Sequence, residues 1–256
     1  MEQKHLSNQA LAVINQYLNF KIGKAVCSVP YFNNKKTGSR AALRAFIGKG
    51  SPEEIAIEVE TILLKNRINR ELLTDHDLKK IMTDNNLGIE CSGFVYHILN
   101  AHCHSTNNDS IKKHLNFPEC TGLLGKIRCS FRPAENCNVA TFAHDSNSQT
   151  ISSAQVRPGD IITMTNGGLE KIRDHILIIH QVDYLNGIPA KIHYSHSIAY
   201  PADGLYNTGV RQGAIEITDI NQPITAQRWT EGNDQSVDLL VQRAQKSKTE
   251  IRRLRF

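Results

Sequence analysis

The chain has 256 residues, of which 40% are apolar and 21% charged, a length and balance that suit one hydrophobic core with an elaboration and exclude extensive disorder. A formal charge of +5 favours acidic partners in general. Aromatic residues at 6%, basic residues dispersed outside the C-terminal tail and the lack of a GxxxxGK[ST] phosphate loop exclude nucleic acid as the expected target.

The N-terminal run MEQKHLSNQALAVINQYL is polar throughout and lacks the apolar core and small-residue cleavage site of a secretory signal. No window approaches the ~18 apolar residues of a membrane span. The expectation is a cytoplasmic product that reaches any extracellular polymer by a non-classical route or by lysis. Leu11, Ala12, Ile14 and Leu18 predict an amphipathic helix over 7–18. The turn-rich stretch 24–50 predicts short extended pieces and loops. Gly48-Lys49-Gly50-Ser51 leads into Pro52-Glu53-Glu54, where Ser51 can cap, Pro52 suits the first helical position and the two acids complement the helix dipole. A further helix is predicted over 74–84.

Phe94, Val95, Ile98 and Leu99 give the next segment one apolar face, so a buried helix begins at Cys91. Residues 101–155 show little periodicity and read as a long insertion with one short helix. Strands follow: IITM from Ile161, HILIIHQV from His175, KIHYSHSIAY from Lys191 and GVRQGAIEIT from Gly209, with Asn186-Gly187 as a hairpin turn. Helices first and an antiparallel sheet second predict an α+β fold. The expected organisation is an N-terminal helical elaboration (1–86), a core (87–220) carrying the insertion, and a C-terminal extension (221–256). Its basic tail from Arg243 reads as a solvated helical or frayed end, with polyanion binding as the alternative.

Six cysteines without a secretion signal read as reduced thiols, and their irregular spacing without a CxxC pair argues against structural zinc. Cys91 stands apart because a helix N-terminus favours a thiolate, while the first-turn N–H groups can hold an oxyanion. Small Ser92 and Gly93 beside it let a substrate backbone approach. Packing is the competing reading of a cysteine at a helix start.

The run Ile89-Glu90-Cys91-Ser92-Gly93-Phe94-Val95 resembles the nucleophile motif of the NlpC family of papain-like cell-wall peptidases, usually Asp-Cys-Ser-Gly followed by an apolar pair. Arg157-Pro158-Gly159-Asp160-Ile161-Ile162 and then Asp174-His175-Ile176-Leu177-Ile178-Ile179 are similar to that family's Pro-Gly-Asp and His-Val-Gly-Ile strands, in the family's order. The resemblance covers about 87–100 and 155–218. It implies a papain-like fold, Cys91 as nucleophile, His175 as base, and a polar residue on the following strand that orients the imidazole.

His193 and His196 both lie on that strand; they point to opposite faces, so one alone can serve. His196 is preferred, because His196-Ser197 is similar to the family's His-Ala or His-Ser segment. The other, like His180, reads as a half-buried histidine. Position 90 is Glu where the family has Asp, and the family's Tyr-x-x-Gly-Gly block is absent. Tyr31, far upstream, is the candidate for a hydroxyl that helps the oxyanion, with core packing as its other reading.

The resemblance implies thioester chemistry without metal or organic cofactor on a peptide or peptidoglycan-like substrate, cut between γ-D-glutamate and a diamino acid. The alternatives are an amidase or acyltransferase on another molecule, or an inactive binding domain. Oligomeric state is not legible.

Overall fold

Ser7 accepts a hydrogen bond from the Ala10 N–H and so starts α1 (Asn8–Leu18) at the expected place. The computed structural model describes residues 1–34, 43–166, 174–232 and 234–255. After the small hairpin of β2 (Phe20–Ile22) and β3 (Ala25–Cys27) come α2 (Pro52–Lys65) and α3 (Asp75–Asp84). Both helices carry complete capping boxes, Ser51 with Glu54 and Thr74 with Asp77. Residues 35–42 of the turn-rich stretch lie outside the described residues; its far end is a 3-10 turn over Arg44–Ile47.

Next is α4 (Cys91–Asn107), which runs beyond residue 101 and so shortens the expected insertion. The remainder holds more structure than one short helix: α5 (Gly122–Phe131), α6 (Pro133–Asn136), α7 (Val139–Ala143) and β4 (Ser148–Thr150). Cys120, just before α5, and Cys129, in its last turn, form a disulfide, a correction to the reading of all six cysteines as reduced. Cys27, Cys91, Cys103 and Cys137 are free thiols.

The sheet strands then follow: β5 (Ile161–Thr165), β6 (His175–Leu185), β7 (Ile188–Ile198), β8 (Gly209–Glu216) and β9 (Arg228–Glu231). The β6–β7 turn is Asn186-Gly187, with φ of 52° and 80°, the left-handed pair that a tight hairpin needs. The chain closes with α8 (Asp234–Lys246) and β10 (Lys248–Leu254).

Among the described residues the main sheet has eight strands in the order β4-β10-β5-β6-β7-β8-β9, with β1 (Glu2–His5) paired to the far half of β6, every pair antiparallel. The fold is α+β, as its residue pattern predicts.

The basic tail is not a frayed end. β10 lies between β4 and β5, and its arginines are paired. Arg252, buried to 2% exposure, bonds Glu250 at 2.8 Å and Asp145 at 2.5 Å, while Arg253 grips Asp160 with two bonds of 2.8 Å. Charge density alone reads such a segment as solvated; acids from distant parts of the sequence neutralise it.

Two cores sandwich the sheet. Phe94, Val95, Ile98 and Leu99 of α4 pack with Ile161, Ile176 and Ile178 on one face. Leu240 and Ala244 of α8 pack with Leu177, Ile179, Tyr194 and Trp229 on the other. This explains the unbroken apolar run Ile176–Ile179: successive side chains enter opposite cores. Among the described residues no helix is long and apolar enough to cross a membrane.

Candidate active site

The nucleophile candidate is set by a close backbone weave. Ile89 bridges both Tyr31 and Lys49, the Glu90 N–H donates to the Gly48 carbonyl at 2.9 Å, and Ser197 Oγ donates to the Ile89 carbonyl at 2.7 Å. Gly93 makes the weave possible: a Cβ there would lie 2.7 Å from the Gly48 carbonyl oxygen. His97 and Tyr17 reach the Lys49 and Gly50 carbonyls at 2.9 and 2.8 Å, so α1 and α4 hold the same loop. Cys91 therefore opens α4 at a fixed point, between the start of β6 and the end of β7.

Glu90 occupies the N-cap position, but its side chain makes no capping bond. It pairs instead with Lys49 Nζ and accepts from Ser92 Oγ at 2.6 Å; Lys49 also donates to Ser92 Oγ and the Cys137 carbonyl. The N–H groups of the first turn thus remain available for an anion. The Ser92 side chain, directed into this buried network, supports the helix start from behind.

On the sheet, His175 and His196 share the face that α8 covers. His175 Nε2 lies 2.8 Å from His196 Nδ1, and His196 Nε2 lies 2.7 Å from Glu231 Oε2. Both rings are buried, at 2% and 0% exposure. Tyr194 and Tyr200 hydroxyls donate to the same carboxylate at 3.1 and 3.2 Å. Burial works to raise the Glu231 carboxyl, but His196, Arg211 and Tyr194 outweigh it and hold it below the usual range. His193 points the other way and bonds Asp183 at 3.0 Å, and His180 contacts Ser195 Oγ at 3.0 Å.

The carboxylate fixes the tautomers. An ionised Glu231 can only accept, so His196 donates from Nε2, and when its ring is neutral its Nδ1 carries the lone pair. His175 must then donate from Nε2, which leaves its Nδ1 as the basic atom. Sequence reasoning missed Glu231. The one signal in the sequence is its spacing of two from Trp229, which puts both on one strand face; β9 indeed alternates exposed, buried, exposed, buried.

Cys91 belongs to the same core as Ile176, the neighbour of His175 on β6, and the Ile176 N–H favours the ionised thiol. Among the described residues, no hydrogen bond joins Sγ to the His175 ring, which is on the α8 face of the sheet with Leu177 and Ile179, whereas Cys91 belongs to the α4-side core with Ile176 and Ile178. The expected lowered thiol pKa is not met in this resting state. Burial pushes Cys91 up to about 12, aided by Glu90 and opposed by Lys49, the Ile176 N–H and Arg243. Burial, then Arg243 and His196, hold His175 well below its ordinary value of 6.5. Both partners rest neutral, because neither charge is stable alone in a desolvated site.

A cleft of about 710 Å³ opens over the site, lined in part by Tyr31, Phe32, His175, Tyr200 and Arg243. Tyr31 thus reaches the same cleft as His175, and its hydroxyl accepts from Asn33 at 3.4 Å. Cys91, at 6% exposure, is not among the residues that line this cleft. Among the described residues, no group of three His, Cys, Asp or Glu side chains converges as a metal site. The chain matches no known family profile, no curated protein and no solved structure.

Proposed function

We propose that this chain is a cysteine hydrolase of the NlpC type that cleaves amide bonds in peptidoglycan peptides. The observation that carries the reading is the buried sequence of contacts His175–His196–Glu231, beginning one residue from Ile176, which shares a core with Cys91. A histidine held by packing alone needs no ionised partner two groups away. A general base does, because the partner sets its tautomer and stabilises the imidazolium that forms.

In the proposed reaction, substrate engagement moves Sγ from the α4 side, around the first residue of β6, onto Nδ1 of His175 on the α8 side. The thiol proton moves to that nitrogen and the sulfur attacks the amide carbon. The oxygen takes up negative charge within reach of the free N–H groups at the start of α4. The imidazolium gives its proton to the leaving amine, a thioester remains, and the same imidazole activates the water that hydrolyses it. No metal or organic cofactor is required, since one imidazole serves as acid and base in turn. The substrate class, a γ-D-glutamyl–diamino acid bond, rests on the resemblance of the Cys91 and His175 segments to that family.

The test is digestion of purified muropeptides, with plain peptides and ester substrates alongside. Wild-type protein is expected to release product from muropeptides, and Cys91→Ala to lose at least about 10⁴-fold in rate while keeping its fold. Undiminished hydrolysis by Cys91→Ala overturns the mechanism.

A further inference from the structure

Arg243 stands out among the charged groups near the site. It lies on α8 between Leu240 and Ala244, which are both buried in the sheet-side core, so its stem is held while its head reaches the cleft. It is half-buried. Its charge acts on both Cys91 and His175. Among the described residues it has no ion pair or hydrogen bond.

The arginine beside Glu231 differs. Arg211 donates to Asp203 at 2.8 Å, lies 3.8 Å from Glu231 and stacks over the Tyr200 ring. It is committed to holding the Glu231 end of the imidazole chain. Asp174, the one acid lining the cleft among the described residues, is exposed and does not pair with Arg243. A half-buried guanidinium without an anion gives up hydration and gains nothing in return until an anion arrives.

We propose that Arg243 forms a carboxylate subsite, so that the preferred substrate carries a free carboxylate on the acyl side of the scissile bond. This deepens the hydrolase reading and rests on it for the identity of the reacting bond. The guanidinium presents paired N–H groups that match a carboxylate in two parallel bonds. An amide at the same position offers one neutral acceptor and brings donors that oppose the guanidinium. For a γ-D-glutamyl peptide the relevant group is the α-carboxylate, and the poorer substrate is its α-carboxamide.

Two measurements test this. In the first, Cys91 in the full-length protein is alkylated with iodoacetate and with iodoacetamide, and the labelled peptide is followed by mass spectrometry. In both reactions an S–C bond forms, iodide leaves and the thiol proton is lost, so the rate ratio isolates the carboxylate. That ratio is expected to fall about tenfold to a hundredfold in Arg243→Gln, and by less in Arg243→Lys, which keeps the charge but not the fork. An unchanged ratio in Arg243→Gln overturns the subsite; should the glutamine variant fail to fold, an unchanged ratio in Arg243→Lys overturns it instead.

In the second, kcat/KM is compared for a γ-D-glutamyl–diamino acid peptide with a free α-carboxylate and for the same peptide as the carboxamide. Wild-type protein is expected to prefer the carboxylate, and Arg243→Gln to lose that preference. Equal use of both peptides by wild-type protein overturns the subsite. Turnover of neither peptide sinks the hydrolase reading for this substrate, whereas the alkylation ratio still decides the role of Arg243.

Discussion

His196 stands between His175 and Glu231, accepting at Nδ1 from the one and donating at Nε2 to the other over 2.8 and 2.7 Å. Its buried ring transmits the requirement of a carboxylate to a nitrogen two groups away.

Glu231→Gln replaces an obligate acceptor with a group that can also donate. The amide allows His196 to reverse its tautomer, which turns His175 and removes the lone pair from Nδ1. The same change removes the charge that stabilises the imidazolium. We expect kcat/KM to fall about a hundredfold or more with the fold retained. A variant of full activity shows that the carboxylate serves packing alone.

The pH profile carries a signed expectation. The working form of His175 is neutral, and burial, Arg243 and His196 depress its pKa well below 6.5. Activity lost on acidification through that depressed value is therefore retained as pH falls past 6.5. On the alkaline side the thiol is held up to about 12, so no step is expected near the ~8.5 of a free cysteine. An acid limb of kcat/KM at or above 6.5 contradicts this account of the resting pair.

Lys49→Met leaves Glu90 without its cation beside the thiol. The Lys49 and Glu90 side chains retain only 7% and 14% exposure, so the stranded carboxylate cannot recover its hydration. A loss of about 3–5 kcal/mol in denaturant-derived stability is expected, much of it recovered in the double variant with Glu90→Gln. A loss within ~0.5 kcal/mol assigns the pair to the solvated surface.

Local physics made much of this chain legible in one dimension. Caps at Ser7, Ser51 and Thr74, the apolar face behind Cys91 and the Asn186-Gly187 turn depend on neighbours within a few residues, and each lies where its pattern predicts. Strand parity likewise separates His196 from His193, because alternation is a property of one strand.

Tertiary structure decided what depends on distant partners. Glu231 acquires its role only when β9 is laid beside β8 and α8 closes over it, and no spacing relates it to His196. The arginines of β10 read as a solvated tail until Asp145 and Asp160 meet them, and Cys120 and Cys129 read as ordinary thiols until the loop before α5 brings them together. Burial, too, exists only once both cores have formed. With Glu90, it keeps a cysteine at a helix mouth, a position that by itself favours a thiolate, as a neutral thiol.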